Sequence, residues 1–153
     1  MSAAIEIIKA TSPGDVAAVK ELFLEYAGFL NVDLCFQGFA KEMATFPDAY
    51  EVLFLALVDG EAAAAIGLKD LGERICEMKR LYARPNFHGL GLGGLLCDRL
   101  IDEARSRGFS AMRLDTLQRL EAAIALYRKR GFVDIEKYYD NPEEGVIYME
   151  LPL

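Results

Sequence analysis

The sequence is poor in the residues that build metal centres and disulfide frameworks. It has one histidine and three cysteines among 153 residues, and the cysteines form no Cys-x-x-Cys pair. Because a structural zinc site needs four such ligands, this composition predicts a protein without a bound metal. The cysteines are odd in number and scattered, which argues against a disulfide framework and favours a reducing cytoplasm.

Basic residues are also in deficit. Seventeen lysines and arginines stand against 24 aspartates and glutamates, so the formal net charge at pH 7 is −7. Nucleic acids are polyanions, and we therefore expect no nucleic-acid partner. The same charge mildly favours a cationic substrate over a strongly acidic one.

Long apolar runs are missing too. The longest candidate, from Val52 to Gly67, is interrupted by Asp59, Gly60 and Glu61, so it cannot span a bilayer. No basic segment precedes the short apolar run near the N-terminus, as a secretory signal would require. We expect no membrane partner and a cytoplasmic protein.

What the sequence does contain is sufficient for one globular domain, residues 1–153. The composition is 53% hydrophobic and 27% charged, which is ordinary for such a domain. Alternating and helical periodicities predict strands over 4–10, 50–58, 62–68, 74–82, 111–114, 132–138 and 145–151, and helices over 16–29, 36–46, 92–107 and 122–130. The resulting order of elements is β-α-α-β-β-β-α-β-α-β-β.

The clearest functional signal lies between residues 77 and 108, where a strand is followed by a glycine-rich loop and a helix. Gly89, Gly91, Gly93 and Gly94 fall within six residues. Glycines let a phosphate approach the backbone closely, and the free N–H groups and dipole of a helix N-terminus favour an anion. This stretch therefore predicts a site for a phosphorylated ligand.

Three kinds of phosphate-binding loop use glycines in this way. A P-loop needs lysine and then serine or threonine after its last glycine, whereas Gly94 is followed by two leucines. The dinucleotide fingerprint G-x-G-x-x-G is matched by Gly89, Gly91 and Gly94, with Asp115 at roughly the expected 20-residue distance. However, residues 84–88 separate these glycines from the strand, and too little chain follows Asp115 for a doubly wound fold.

The third kind fits best. Residues 88–93, His-Gly-Leu-Gly-Leu-Gly, resemble the central motif of the GNAT superfamily of acyl-CoA-dependent N-acetyltransferases. That motif is Gln or Arg, two residues, Gly, one residue, and then Gly or Ala. The preceding residues 78–85 look like the family's fourth strand. Residues 122–132, Ala-Ala-Ile-Ala-Leu-Tyr-Arg-Lys-Arg-Gly-Phe, are similar to its second signature, a helix with a tyrosine that ends in Gly-Phe.

The resemblance implies both a fold and a reaction. The fold would be α/β (α+β), a mixed, largely antiparallel sheet of about seven strands flanked by helices. The reaction would move an acetyl group from acetyl-CoA to a primary amine by direct attack in a ternary complex. The acceptor would be a small molecule or a peptide, and a homodimer is compatible with the resemblance. Two alternatives are a non-catalytic acyl-CoA-binding module that senses the cofactor and, more distantly, a nicotinamide-dinucleotide-binding protein.

The resemblance also implies roles for particular residues. Tyr127 matches the family tyrosine that protonates the departing thiolate, and Glu77 lies where several relatives carry a general base. His88 stands where the family carries Gln or Arg, and Leu120 where it often carries Asn. The strand before the loop is expected to kink and to bind the pantetheine arm through its backbone, and the loop to bind the pyrophosphate. These cofactor-binding residues are Leu81, Tyr82, Ala83, His88, Gly89, Leu90, Gly91, Leu92, Gly93 and Gly94.

The acceptor pocket is placed by analogy only. It would lie between the first two helices and the last two strands. The candidate lining residues are Tyr26, Phe29, Asp33, Phe36, Tyr138, Tyr139 and Asp140.

Overall fold

A computed structural model of the chain describes residues 3–30 and 38–153. The strands are β1 (Ile5–Lys9), β2 (Val52–Val58), β3 (Glu61–Gly72), β4 (Ile75–Ala83), β5 (Ala111–Leu117), β6 (Val133–Ile135) and β7 (Val146–Pro152). The helices are α1 (Pro13–Leu30), α2 (Phe39–Ala44), α3 (Leu92–Ser106) and α4 (Glu121–Lys129), and a short 3-10 turn covers Pro85–Phe87.

The seven strands form one sheet in the order β1-β2-β3-β4-β5-β7-β6. Every neighbouring pair is antiparallel except β4 and β5, which are parallel. Parallel neighbours need a crossover connection, and α3 provides it. The mixed, largely antiparallel sheet flanked by helices is therefore confirmed.

The two faces of the sheet carry separate hydrophobic cores. On one face, α3 buries Leu96 and Leu100 completely against β2, β3 and β4. On the other face, α1 does the same with Leu22 and Phe23. Each helix thus directs one apolar stripe at the sheet, which is the pattern that the sequence periodicity predicts.

β4 and β5 part after a short common stretch. They pair only between Ile75–Glu77 and Ala111–Arg113. β4 then continues to Ala83 and β5 to Leu117, with no further register pairs between the two strands. The centre of the sheet is therefore open at one end.

A bulge lies on β4 where the strands part. The register of β4 against β3 shifts between Lys79 and Tyr82, and Arg80 between them has a φ of 60°. A left-handed conformation is uncommon for a residue other than glycine, and an extra residue in one strand bends and twists it. The kink that the resemblance implies is thus present in β4.

Several element boundaries differ from the sequence prediction. β3 extends to Gly72 and β5 to Leu117, beyond the predicted ends at residues 68 and 114, and α1 begins at Pro13 rather than at residue 16. β6 ends at Ile135 rather than at residue 138, because Tyr138 and Tyr139 turn towards β4 and β5, where their hydroxyls bind carboxylates. The second helix is described from Phe39 to Ala44, so its predicted start at residue 36 lies outside the described residues.

Candidate active site

The opening between β4 and β5 leads into a cavity of about 480 Å³. Its walls come from α1, the bulged part of β4, the end of β5 with the start of α4, and the loop between β6 and β7. The lining residues are Tyr26, Phe29, Leu30, 78–81, 114–117, 119–123, Tyr127, Asn141 and Glu143. Because α1 and α4 lie on opposite faces of the sheet, side chains from both faces line the cavity.

Tyr127 on α4 lines this cavity. Its side chain is 7% exposed, and its ring packs on Phe132 with the ring centroids 5.8 Å apart. Burial, with the nearby Tyr26, Cys97 and Asp115, raises the pKa of the Tyr127 hydroxyl above its usual range. The hydroxyl makes no hydrogen bond within the part of the chain that the structure describes. Tyr127 is therefore a protonated donor at the cavity wall.

The glycine-rich loop ends in the first turn of α3. Gly91 precedes the helix with a φ of 76°, a left-handed conformation that favours glycine. The first helical hydrogen bond is donated by the N–H of Leu95 to the Gly91 carbonyl. The N–H groups of Leu92, Gly93 and Gly94 consequently have no acceptor within the helix. Together with the helix dipole they suit an anion.

His88 contacts the protein's own backbone. Its Nε2 donates a hydrogen bond of 3.1 Å to the carbonyl of Ala83. This contact closes the turn between the end of β4 and the glycines, so the imidazole supports the loop. An anion at the loop would then depend on the backbone N–H groups.

Among the other predicted cofactor residues, Leu81 lines the cavity and Tyr82 does not. The Tyr82 side chain lies on the α1 face, where its hydroxyl is 3.4 Å from Glu25. Ala83 takes part through its carbonyl, which accepts the His88 bond. Tyr82 and Ala83 could therefore contact the donor only through their backbone groups.

A buried charged cluster surrounds Asp115 on β5. Its carboxylate accepts hydrogen bonds from Lys79 at 3.2 Å, from Asn141 at 2.8 Å and from the hydroxyl of Tyr139. Burial alone would raise the pKa of Asp115, but the charge of Lys79 and these hydrogen bonds outweigh it and lower the pKa. Asp115 is therefore ionised at neutral pH, and it lines the cavity.

Glu77 lies behind the cavity wall. It is 4% exposed, and its carboxylate accepts a hydrogen bond of 2.5 Å from the hydroxyl of Tyr138. Lys79 Nζ is 3.7 Å from the other carboxylate oxygen and links Glu77 to Asp115. Glu77 is not among the residues that line the cavity. A substrate in the cavity could therefore exchange a proton with the Glu77 carboxylate only through a group between them, such as water.

Arg80, the residue at the bulge, forms a buried bidentate ion pair with Glu42 of α2. Both N–H···O distances are 3.0 Å, and the two residues are 5% exposed. Glu42 also accepts hydrogen bonds from Tyr50 at 2.5 Å and Lys69 at 2.9 Å. Burial alone would raise the pKa of Glu42, but Arg80, Tyr50 and Lys69 outweigh it and lower the pKa to about 2.

Replacing Glu42 by glutamine should remove part of the pH dependence of stability. A carboxylate with a folded-state pKa of about 2, against an ordinary 4.5, stabilises the fold fully above pH 4.5. That contribution, roughly 3 kcal/mol, disappears as the pH falls towards 2. Urea unfolding between pH 7 and pH 2 would measure it. Glu51→Gln, at a residue half exposed beside Arg107, is the control. Parallel pH profiles for Glu42→Gln and the native protein would contradict this prediction.

The predicted acceptor residues are only partly brought together. Tyr26 and Phe29 of α1 line the cavity, whereas Tyr138 and Tyr139 lie behind it and hold the carboxylates of Glu77 and Asp115. Asp140, on the same loop, pairs with Lys137 at 2.8 Å on the surface. Asp33 and Phe36 lie outside the described residues.

Sequence reasoning did not single out Arg80, Glu42 or Lys79 for this site. A usable signal exists in β4, which carries Glu77, Lys79 and Arg80 although it is a central strand. Charged side chains on a central strand are buried and need partners, so they indicate a polar cluster within the fold.

Comparison with known proteins identifies the family. The acetyltransferase (GNAT) family matches residues 17–132, which is most of the chain. The chain belongs to the GNAT family of acetyltransferases. Both motifs that carry the resemblance, residues 88–93 and 122–132, lie within the matched stretch.

The relatives of this GNAT acetyltransferase include named enzymes. An uncharacterised N-acetyltransferase of Schizosaccharomyces pombe is 36% identical over 97% of this chain and 95% of its own length. A [ribosomal protein bS18]-alanine N-acetyltransferase of Salmonella typhimurium is 34% identical over 69% of this chain and 74% of its own length. The chain is thus an enzyme of the N-acetyltransferase type.

Solved structures share the GNAT fold described above. An acetyltransferase from Streptococcus agalactiae superimposes with a TM-score of 0.78 at 20% identity, covering 97% of this chain and 98% of its own. A Salmonella typhimurium protein, described as a putative acetyltransferase with its cofactor acetyl-CoA, has a TM-score of 0.71 at 23% identity, covering 97% and 94%.

The described residues contain neither a membrane-spanning helix nor a cluster of metal ligands. Over residues 3–30 and 38–153, no helix is sufficiently long and apolar to cross a membrane. The same residues hold no group of three or more histidines, cysteines, aspartates or glutamates that could bind a metal ion.

Proposed function

We propose that this enzyme transfers an acetyl group from acetyl-CoA to a primary amine by direct attack in a ternary complex. The observation that carries the proposal is the cavity at the parting of β4 and β5, with the buried hydroxyl of Tyr127 at its wall. Side chains from both faces of the sheet line this cavity, and we assign the donor and the acceptor to opposite faces.

The donor site fits an acyl-CoA. The free N–H groups of Leu92, Gly93 and Gly94 suit the pyrophosphate, and the left-handed Gly91 leaves its approach clear of a side chain. Leu81 and the unpaired edge of β4 offer an apolar surface and backbone groups to a thin, uncharged pantetheine arm. The structural neighbour from Salmonella typhimurium that contains acetyl-CoA supports acetyl-CoA as the donor.

The chemical step needs a base and an acid. The amine nitrogen attacks the thioester carbon, a C–N bond forms and the C–S bond breaks. We assign removal of the amine proton to Glu77, acting through water because Glu77 lies behind the cavity wall. The departing thiolate takes its proton from Tyr127, whose raised pKa keeps the hydroxyl protonated at neutral pH. The products are an N-acetylated amine and free coenzyme A.

The alternatives are weaker. A non-catalytic sensor of acyl-CoA would not need a buried tyrosine hydroxyl, without a hydrogen bond among the described residues, in a cavity that Asp115 also lines. A nicotinamide-dinucleotide protein would place its glycines directly after the strand, whereas the turn at Pro85–Phe87 separates them here. We also propose a cytoplasmic location, supported by the free and buried thiols of Cys76 and Cys97.

Ligand-induced stabilisation and turnover test the proposal. Acetyl-CoA should raise the melting temperature, as a ligand that binds only the folded state must, while NAD and ATP should raise it far less. Release of free thiol from acetyl-CoA should then depend on a primary amine. An equal shift with NAD would contradict the donor assignment. Acetyl-CoA binding without thiol release for any amine would favour the sensor.

A further inference from the structure

Two guanidinium groups line the cavity, those of Arg80 and Arg119. Arg80 is 5% exposed and donates Nε and Nη2 to Glu42, and the hydroxyl of Tyr50 is a further hydrogen-bond partner. The charge of Arg80 is therefore already paired with a carboxylate.

Arg119 is the second of these groups. It follows β5 and donates its Nη2 to the carbonyl of Leu30 at the end of α1, at 2.5 Å. Over the part of the chain that the structure describes, it forms no ion pair with an acidic side chain. Its charge is therefore available to the cavity that it lines.

The side chains of Tyr26, Asp115 and Arg119 line the same cavity as Arg80. Burial raises the pKa of Tyr26 to about 12, so its hydroxyl is protonated at neutral pH. Tyr26 itself makes no hydrogen bond to any described residue. A guanidinium group without an acidic partner among the described residues, one hydroxyl and one carboxylate thus line the same cavity.

This arrangement has the chemistry of a zwitterion site. Guanidinium groups recognise a carboxylate through paired N–H donors, and an ionised carboxylate such as Asp115 accepts from an ammonium group. An anion bound by Arg119 would not come from the donor, because the pantetheine arm carries no charge and the phosphates suit the N-terminus of α3. It would come from the acceptor.

We propose that the acceptor is a small amino acid whose carboxylate binds Arg119 beside Tyr26 and whose amino group faces Asp115. This inference rests on the proposed acetyl transfer and narrows its acceptor. The reaction is unchanged: the amino nitrogen gains the acetyl group, and coenzyme A leaves as the free thiol. The cavity wall thus selects against the simple cationic amine that the net charge of −7 mildly favours.

Matched acceptors test the proposal. Thiol release would be measured with the proteinogenic amino acids, each beside its carboxamide and its decarboxylated amine. A charge-assisted hydrogen bond contributes enough for kcat/KM of the preferred amino acid to exceed that of its two partners by about tenfold or more. Arg119→Gln should raise KM for that amino acid by about tenfold while leaving KM for the carboxamide and the affinity for acetyl-CoA unchanged.

Arg105→Gln is the matched control, since it removes the same charge from the exposed face of α3, away from the cavity. Arg80 is not varied, because its ion pair with Glu42 ties α2 to the sheet. Equal rates for amino acids and carboxamides, or an equal effect of Arg105→Gln, would overturn the inference and leave acetyl transfer intact. Absence of thiol release with every amine, including peptides and polyamines, would overturn both.

Discussion

Tyr127→Phe is expected to lower kcat by about a hundredfold or more, a typical loss for a general acid. The substitution removes the hydroxyl and keeps the ring on Phe132. Because the hydroxyl makes no hydrogen bond within the described residues, its loss leaves no protein group without a partner. Stability and affinity for acetyl-CoA should therefore hardly change.

The kinetic pattern identifies the role of Tyr127. An interaction that forms only as charge develops on sulfur lowers kcat and kcat/KM together when it is removed. If the tyrosine served only for packing, Tyr127→Phe would keep full turnover. Only Tyr127→Ala would then fail, through the cavity it leaves in the core. Melting temperature, acetyl-CoA affinity and kcat of both variants separate these cases, and undiminished kcat in Tyr127→Phe under chemistry-limited conditions would exclude Tyr127 from the mechanism.

Gly91→Asp is expected to abolish the stabilisation by acetyl-CoA. The substitution places a carboxylate and a side chain at the start of α3, where the pyrophosphate would meet the free N–H groups. If the dissociation constant rises about a hundredfold, the stabilisation at a ligand concentration of about 100 Kd falls from about 2.7 to about 0.4 kcal/mol. Thermal unfolding with and without acetyl-CoA would measure both values.

Gly108→Asp provides a control at the other end of the same helix. Gly108 has a φ of 84°, close to that of Gly91, and neither glycine has another residue within 4 Å of an added Cβ. The two substitutions therefore impose a similar backbone strain and the same charge. Gly108→Asp should destabilise the apoprotein and preserve the shift caused by acetyl-CoA. Loss of the shift in both variants would mean that the effect of Gly91→Asp is not specific to the loop.

The sequence supported the fold well, for a physical reason. α1 and α3 each bury one apolar stripe that repeats at the helical period, and β2, β3 and β4 are neighbours both along the chain and in the sheet. Local sequence patterns therefore suffice to predict these elements. The resemblance to the family predicted how the remaining elements are arranged. β6 was predicted too long, to residue 138 instead of Ile135, because Tyr138 and Tyr139 leave the ladder for carboxylates that are distant in sequence.

The candidate site could be anticipated only in part. Tyr127 and the glycine loop stand in continuous motifs, so a linear reading finds them. The ion pair between Arg80 and Glu42 joins residues that are 38 positions apart. An arginine or a glutamate in a sequence does not indicate which residue it will pair with. The role proposed for Arg119 is even harder to predict from sequence. It depends on the fact that Arg119 forms no ion pair with an acidic side chain among the described residues. Such features depend on which side chains the fold places at one wall.

Because β4 and β5 part early, the amides of the sheet should exchange hydrogen in two different ways. Amides in the β2–β3 ladder are hydrogen-bonded between paired strands, so they exchange only when that part of the sheet opens. Amides of β4 beyond Glu77 and of β5 beyond Arg113 that face the cavity have no partner strand there. They can exchange with the water in the cavity while the fold stays intact. If acyl-CoA binds along this edge as proposed, it should protect these amides, and deuterium uptake in the two peptides would then report donor occupancy even with no acceptor present.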